Sequence, residues 1–72
     1  MNAATFVTDH EELTVEKTRA GLYRLANADH TTGWVEHVGS VWVALRGRRY
    51  DRAEEVGQAL DFQAAAAMLV RR

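Results

Sequence analysis

The stretch from Trp34 to Leu45 constrains the fold more than any other part of this sequence, because its residues favour one backbone state. It is rich in β-branched and aromatic residues, which pack well on a pleated surface. Gly39-Ser40 stands midway, where a two-residue hairpin turn needs a positive φ at its first position. The pattern predicts a β-hairpin in which Trp42 and Val43 point to opposite faces. Both faces are partly apolar, so we expect one to be covered by this chain and the other to meet a partner.

Two short strands are predicted before the hairpin. Leu13 to Arg19 alternates between apolar and polar residues, which indicates a strand with one half-buried face. Leu22 to Ala26 is a second strand, joined to the first by a turn at Gly21. The turn-forming residues from Asn27 to Gly33 predict a loop.

Two interpretations stay open after Arg46. A turn at Gly47 could lead into a further strand over Arg49 to Val56. Alternatively, Asp51 and Glu54 have the spacing of a capping box, which favours a helix. We prefer the strand, because Gly57 would interrupt that helix at a cost of about 1 kcal/mol relative to alanine.

The C-terminal segment predicts a helix from Asp61 to Arg71, with Asp61 as its N-cap. Its apolar residues recur at helical spacing, and the alanines from Ala64 to Ala67 would let it lie close to a sheet. The expected fold class is therefore α+β, a small antiparallel sheet of four to five short strands packed against one C-terminal helix. We expect residues 13–72 to form this single domain and residues 1–12 to be a disordered acidic tail.

Chain length and residue usage limit the functions to be considered. Seventy-two residues are near the lower limit for a core that holds a chain folded alone, which favours a homodimer. The chain has no cysteine, no pair of histidines at metal-ligand spacing, and a single serine, Ser40, in the predicted turn. We therefore expect no enzyme activity, no cofactor, no metal and no small-molecule substrate. Without a long apolar run or a secretory signal, we expect a soluble cytoplasmic protein with no membrane partner.

The segment from Arg46 to Arg52 is the strongest functional signal. Four arginines flank one tyrosine there, and they could contact phosphates or simply keep a turn solvated beside Asp51. From Lys17 onward the chain has nine basic and six acidic residues, a balance of +3, which alone does not imply nucleic acid. The predicted function is a non-enzymatic module that binds a host or self protein through its sheet face and an exposed edge strand. The alternative is a nucleic-acid-binding domain that uses the basic hairpin from Arg46 to Arg52. The expected partner-binding residues are Trp34, Trp42, Arg46, Arg48, Arg49, Tyr50 and Arg52.

The order of Trp42-Val-Ala44, a Gly-Arg turn, a further strand and an Ala-rich helix resembles a known arrangement. The segment from Trp34 to Leu69 is similar to the arm-type DNA-binding domains of tyrosine integrases, to the plant AP2 domain and to small phage proteins. In those DNA-binding families the sheet enters the major groove, which implies comparable places for Trp34, Trp42, Arg46 and Arg48. Glu36 departs from this pattern, because a carboxylate opposes DNA. With the arginine-rich composition, typical of GC-rich genomes, the resemblance implies a phage or mobile-element accessory protein.

Overall fold

The described part of the chain folds as one antiparallel sheet with one α-helix on one face. The computed structural model describes residues 3–7, 12–27 and 30–70, with side chains for 13–27 and 30–70. Six strands follow one another across the sheet in sequence order. The elements are β1 (Ala3–Val7), β2 (Glu12–Arg19), β3 (Leu22–Ala26), β4 (Thr31–Val38), β5 (Val41–Arg46), a 3-10 turn (Tyr50–Arg52), β6 (Glu54–Ala59) and α1 (Phe62–Met68). The predicted α+β class, a small antiparallel sheet against one C-terminal helix, is confirmed.

One strand lies in the segment for which a disordered tail was predicted. β1 pairs antiparallel with β2, from Ala3 opposite Glu16 to Val7 opposite Glu12. It brings the sheet to six strands, where four to five were expected. The other residues of the predicted tail before Glu12 lie outside the described residues. Thr5, Phe6 and Val7 of β1 favour a strand, but three residues are too few to predict one. The pairing of β1 with β2 does not show in a local sequence pattern.

The predicted hairpin is present as β4 and β5. Val38 and Val41 are opposite each other, so Gly39-Ser40 forms the two-residue turn, and Gly39 has a φ of 61°. The strand before this turn is longer than expected, because Thr31 to Gly33 belong to β4 and not to the predicted loop. Gly33 lies opposite Leu25 in the β3–β4 register, so it is a strand residue and not a turn residue.

The segment after Arg46 resolves as a strand and not as a helix. The strand begins at Glu54 and not at Arg49, because residues 47 to 53 form the connection from β5 to β6. Tyr50, expected within this strand, lies in the 3-10 turn of that connection. A register shift between Ala44 and Leu45 marks a β-bulge in the β5–β6 pair.

The helix begins where predicted and ends earlier. The Asp61 carboxylate accepts a hydrogen bond from the Ala64 N–H at 2.8 Å, which confirms the predicted N-cap. The helix ends at Met68, and not at Arg71. The next two residues, Leu69 and Val70, form hydrogen bonds of the tighter i to i−3 type.

The core lies between α1 and one face of the sheet, which we call the helix face. Ala65 and Ala66 of α1 are fully buried there, as the predicted close approach requires. Two sheet glycines lie beneath the helix: a Cβ on Gly33 would meet the Leu69 side chain, and one on Gly57 would meet the Met68 side chain. The core residues are Leu13, Val15, Leu25, Val35, Ala44, Ala65, Ala66, Leu69 and Val70.

The opposite side of the sheet, which we call the open face, has no helix over it among the described residues. Residues that face each other in neighbouring antiparallel strands point to the same side of a sheet. One row on the open face therefore contains Glu16, Arg24, Trp34 and Leu45. The next row contains Leu22, Glu36, Val43 and Gln58.

Candidate functional site

The residues predicted to bind a partner do not form one surface. Trp34 lies opposite Leu45 on the open face, whereas Trp42 lies opposite His37 on the helix face. The four arginines and Tyr50 are divided between the end of β5 and the connection that follows it. The contacts of each residue show which of them are available to a partner.

Trp42 is a packing residue on the helix face. Its indole meets Phe62 of α1 edge to face, with ring centroids 5.7 Å apart, and Tyr23 at 6.1 Å. His37 lies flat on the same indole, with centroids 3.9 Å apart and planes within 4°. Aromatic contacts of this kind add to the stabilisation from buried apolar area. Trp42 therefore joins the helix to the sheet.

Arg46 is also committed to the fold. Its Nη2 donates a hydrogen bond to the Met68 carbonyl oxygen at 2.9 Å, near the C-terminal end of α1. A guanidinium at this position satisfies a carbonyl that the helix leaves without a partner and complements the helix dipole. Arg46 is therefore a helix-capping residue, and a ligand would have to displace that bond.

Tyr50 folds back over the open face and covers Trp34. Their rings meet edge to face with centroids 5.8 Å apart. The Tyr50 hydroxyl donates to Glu36 Oε1 at 2.7 Å, and the Arg19 guanidinium lies 5.6 Å from the Tyr50 ring centroid. Arg19 also forms a long ion pair with Glu36, at 3.8 Å. These contacts hold the β5–β6 connection against the sheet.

The contact with Glu36 changes the acidity of Tyr50. The hydrogen bond to Glu36 is the main cause that raises the Tyr50 pKa above its ordinary value of 10.0, and desolvation and the negative charge of Glu36 add to it. Because the folded-state pKa is raised, the stabilisation is complete below about pH 10 and is lost as the pH rises through the raised value.

Glu36→Gln is expected to lower the pKa of Tyr50 towards 10.0, because the neutral amide removes the nearby negative charge. The pKa is measured from the pH titration of the Tyr50 ring carbon resonances by NMR in the two proteins. The Glu54→Gln variant is the control, because it removes one exposed carboxylate that is not hydrogen-bonded to Tyr50 and is not among the causes of its raised pKa. An unchanged Tyr50 pKa in Glu36→Gln would contradict the contact.

A cleft of about 720 Å³ opens on the open face at the end of the sheet near the β3–β4 loop. We call it the basic cleft. Three arginines line it, Arg24 of β3 and Arg48 and Arg49 of the β5–β6 connection. Arg48 and Arg49 are among the residues that the sequence predicted to bind a partner, whereas Arg24, distant in sequence, is not. The lining residues are Thr14, Arg24, Ala26, Asn27, His30, Thr31, Arg48 and Arg49.

The three arginines of the basic cleft differ in how far they are neutralised. Arg24 donates from Nε and Nη2 to Glu16 Oε1, at 3.0 and 2.7 Å, and from Nη1 to Thr31 Oγ1. Arg49 forms an exposed ion pair with Asp51 at 3.4 Å. Arg48 is exposed and forms no hydrogen bond or ion pair with any described residue. Among the described residues that line the cleft, Arg48 is therefore the arginine without a paired carboxylate.

The outer edge of β6 is a second feature open to a partner. No described strand pairs with that side of β6. Val56 within the strand is 43% exposed, and Leu60, immediately after it, is 82% exposed. Leu60 precedes the N-cap Asp61, a position where an apolar residue often packs onto the first helical turn. Its exposure shows that it does not do so here.

The described residues offer few other sites. Among them no group of three or more histidine, aspartate or glutamate side chains is arranged to hold a metal ion. Within the same part of the chain, no helix has the length and apolar character needed to span a membrane. Comparison of the sequence and structure with protein families, curated proteins and solved structures gives no match. The resemblance to integrase arm-type and AP2 domains therefore stays a prediction.

Proposed function

We propose that this protein is a non-enzymatic interaction domain that self-associates through the edge strand β6. The observation that supports this most directly is the exposure of Leu60 beside the unpaired edge of β6. An unpaired edge strand presents backbone N–H and C=O groups that can pair with another strand. A large exposed apolar side chain next to such an edge adds contact area to that pairing.

The sequence of β6 is complementary to itself in antiparallel pairing. In the register centred between Val56 and Gly57, every residue of β6 has a partner in the other copy. Glu54 then faces Ala59, and Glu55 faces Gln58, so no two glutamates are opposite each other. In the same register Leu60 faces Ala53 of the second copy, which would cover its exposed side chain.

The interface formed in this way is small. One strand pair with a few apolar contacts buries less than about 1,200 Å² of accessible surface, which is at the low end for specific interfaces. We therefore expect a reversible dimer with a Kd in the micromolar range or weaker. Dimerisation would extend the sheet across both copies and place the two open faces on one side.

Replacing Leu60 by lysine is expected to weaken the dimer about tenfold, because a charge replaces the apolar contact at the edge. Gln63→Lys is the matched control: it adds the same charge at an exposed position of α1 and not next to the end of the edge strand, and it should leave Kd within about twofold. Sedimentation equilibrium over a concentration series measures Kd for the three proteins.

NMR spectra recorded over the same concentrations locate the contact. We expect concentration-dependent amide shifts in residues 54 to 60, and none in the hairpin turn at Gly39-Ser40. A chain that stays monomeric at millimolar concentration would contradict the proposal. Equal weakening of the dimer by Leu60→Lys and Gln63→Lys would also contradict it.

A further inference from the structure

The basic cleft is separate from the β6 edge and is suited to a different kind of ligand. Residues from β2, β3, β4 and two connections converge on it, so its shape depends on the folded chain. Its volume of about 720 Å³ is in the range of small-molecule sites and can hold a phosphate group with an organic substituent.

The charges of the cleft favour an anion. All the titratable side chains among its lining residues are arginine or histidine, and none of these residues is acidic. Glu16 forms an ion pair with Arg24 at 2.7 Å, and Asp51 forms an exposed one with Arg49 at 3.4 Å. Arg48 has no such partner among the described residues.

The geometry also supplies oriented hydrogen-bond donors. Three bonds fix the Arg24 guanidinium, and the Thr31 hydroxyl that accepts one of them retains its own proton to donate. Two bonds join the lining residues Asn27 and His30: Asn27 N–H donates to the His30 carbonyl at 3.0 Å, and His30 N–H donates to Asn27 Oδ1 at 3.1 Å. Planar guanidinium groups match the oxygens of phosphate in a bidentate way.

We propose that the basic cleft binds a phosphate group, with Arg48 as its principal ligand and Arg24 and Thr31 as fixed donors. Free phosphate esters and the backbone of a nucleic acid present the same chemistry to these residues. Arg46 and Arg52, which the sequence analysis also assigned to nucleic-acid binding, do not line the cleft. The proposal does not depend on dimerisation through β6.

The test is a titration with inorganic phosphate in which amide NMR spectra monitor binding. Chloride is the reference salt and keeps the ionic strength constant. We expect saturable shifts at Asn27, His30, Thr31 and Arg48. The Arg48→Ala variant should bind phosphate about tenfold more weakly, because it loses a charged hydrogen-bond donor.

Arg52→Ala is the matched control. Arg52 is an exposed arginine of the same connection, its side chain has no hydrogen bond or ion pair with a described residue, and it is outside the cleft. The variant should bind phosphate within about twofold of the unchanged chain. Equal weakening by Arg48→Ala and Arg52→Ala would show attraction by net charge alone and would overturn the proposal, as would the absence of saturable shifts.

A twelve-nucleotide single strand and the matching duplex distinguish the two sources of phosphate. If the source is a small phosphate ester, the oligonucleotides bind no more tightly than inorganic phosphate per site. If the source is a nucleic acid, they bind more tightly, and their Kd rises steeply with salt. In both cases Arg48→Ala must bind more weakly than the unchanged chain. Retention of full binding by that variant would overturn the proposal.

Discussion

Replacing Gly33 by alanine is expected to lower the free energy of unfolding by about 3 kcal/mol, because no space exists for the added methyl group. A Cβ at this position would lie 2.5 Å from the Leu45 carbonyl oxygen and 3.0 Å from both terminal carbons of Leu69. The carbonyl belongs to the neighbouring strand and cannot move without disturbing the β4–β5 ladder. For a domain of this size the midpoint of thermal unfolding should fall by more than about 10 °C, as measured by circular dichroism.

Gly57→Ala is the matched control for this prediction. A Cβ on Gly57 would meet the sulfur of Met68 at 2.6 Å, but that sulfur is near the end of a flexible side chain that can change rotamer. The free energy of unfolding should therefore change by less than about 1 kcal/mol. A loss from Gly33→Ala as small as that from Gly57→Ala would contradict the close approach of the Leu45 carbonyl and the Leu69 side chain to Gly33.

The parts of the fold that the sequence predicted correctly depend on neighbours in the chain. Gly39-Ser40 fixes a turn within four residues, and the strands on both sides have clear β propensity. Asp61 caps the helix through Ala64, three residues away, so its role can be read from local spacing. The preference for a strand after Arg46 also came from a local argument, the cost of Gly57 inside a helix.

The sequence could not show contacts between residues that are distant along the chain. Gly33 was assigned to a loop because glycine commonly forms turns, whereas here it gives the helix room to pack. Arg46 looked like part of a basic patch, but Met68, far along the chain, accepts its hydrogen bond. Composition cannot show which arginine has a partner. Only the folded arrangement shows that Arg48 has none among the described residues.

The two tryptophans illustrate the same limit for the site. Strand parity correctly indicated that both faces of the hairpin have large apolar groups, but it could not tell which face the helix covers. The position of α1 is determined by Ala65 and Ala66 packing on the helix face. As a result Trp42 is enclosed by aromatic rings, and Trp34 is covered by Tyr50, a residue of the following connection.

Trp42→Ala is therefore expected to lower the free energy of unfolding by about 3 kcal/mol, because the substitution removes contacts with Tyr23, Phe62 and His37 and leaves a void under the helix. Trp42→Phe should lose less than half as much, since one ring remains to meet Phe62. Urea unfolding followed by circular dichroism measures both changes at concentrations where the chain is monomeric.

Leu60→Ala is expected to affect association and not folding, which is the opposite of the effect expected for Trp42→Ala. Leu60 is 82% exposed, so truncating its side chain should change the stability of the monomer by less than about 0.5 kcal/mol while weakening the dimer. Trp42→Ala, where it remains folded, should leave the dimer Kd unchanged because Trp42 is on the helix face and not at the β6 edge. If Trp42→Ala kept full stability and abolished the dimer, Trp42 would be a partner-binding residue, as the sequence alone predicted. That result would contradict the packing of Trp42 beneath α1. The two substitutions thus test independently whether Trp42 packs in the core of this small chain and whether Leu60 contacts a second copy.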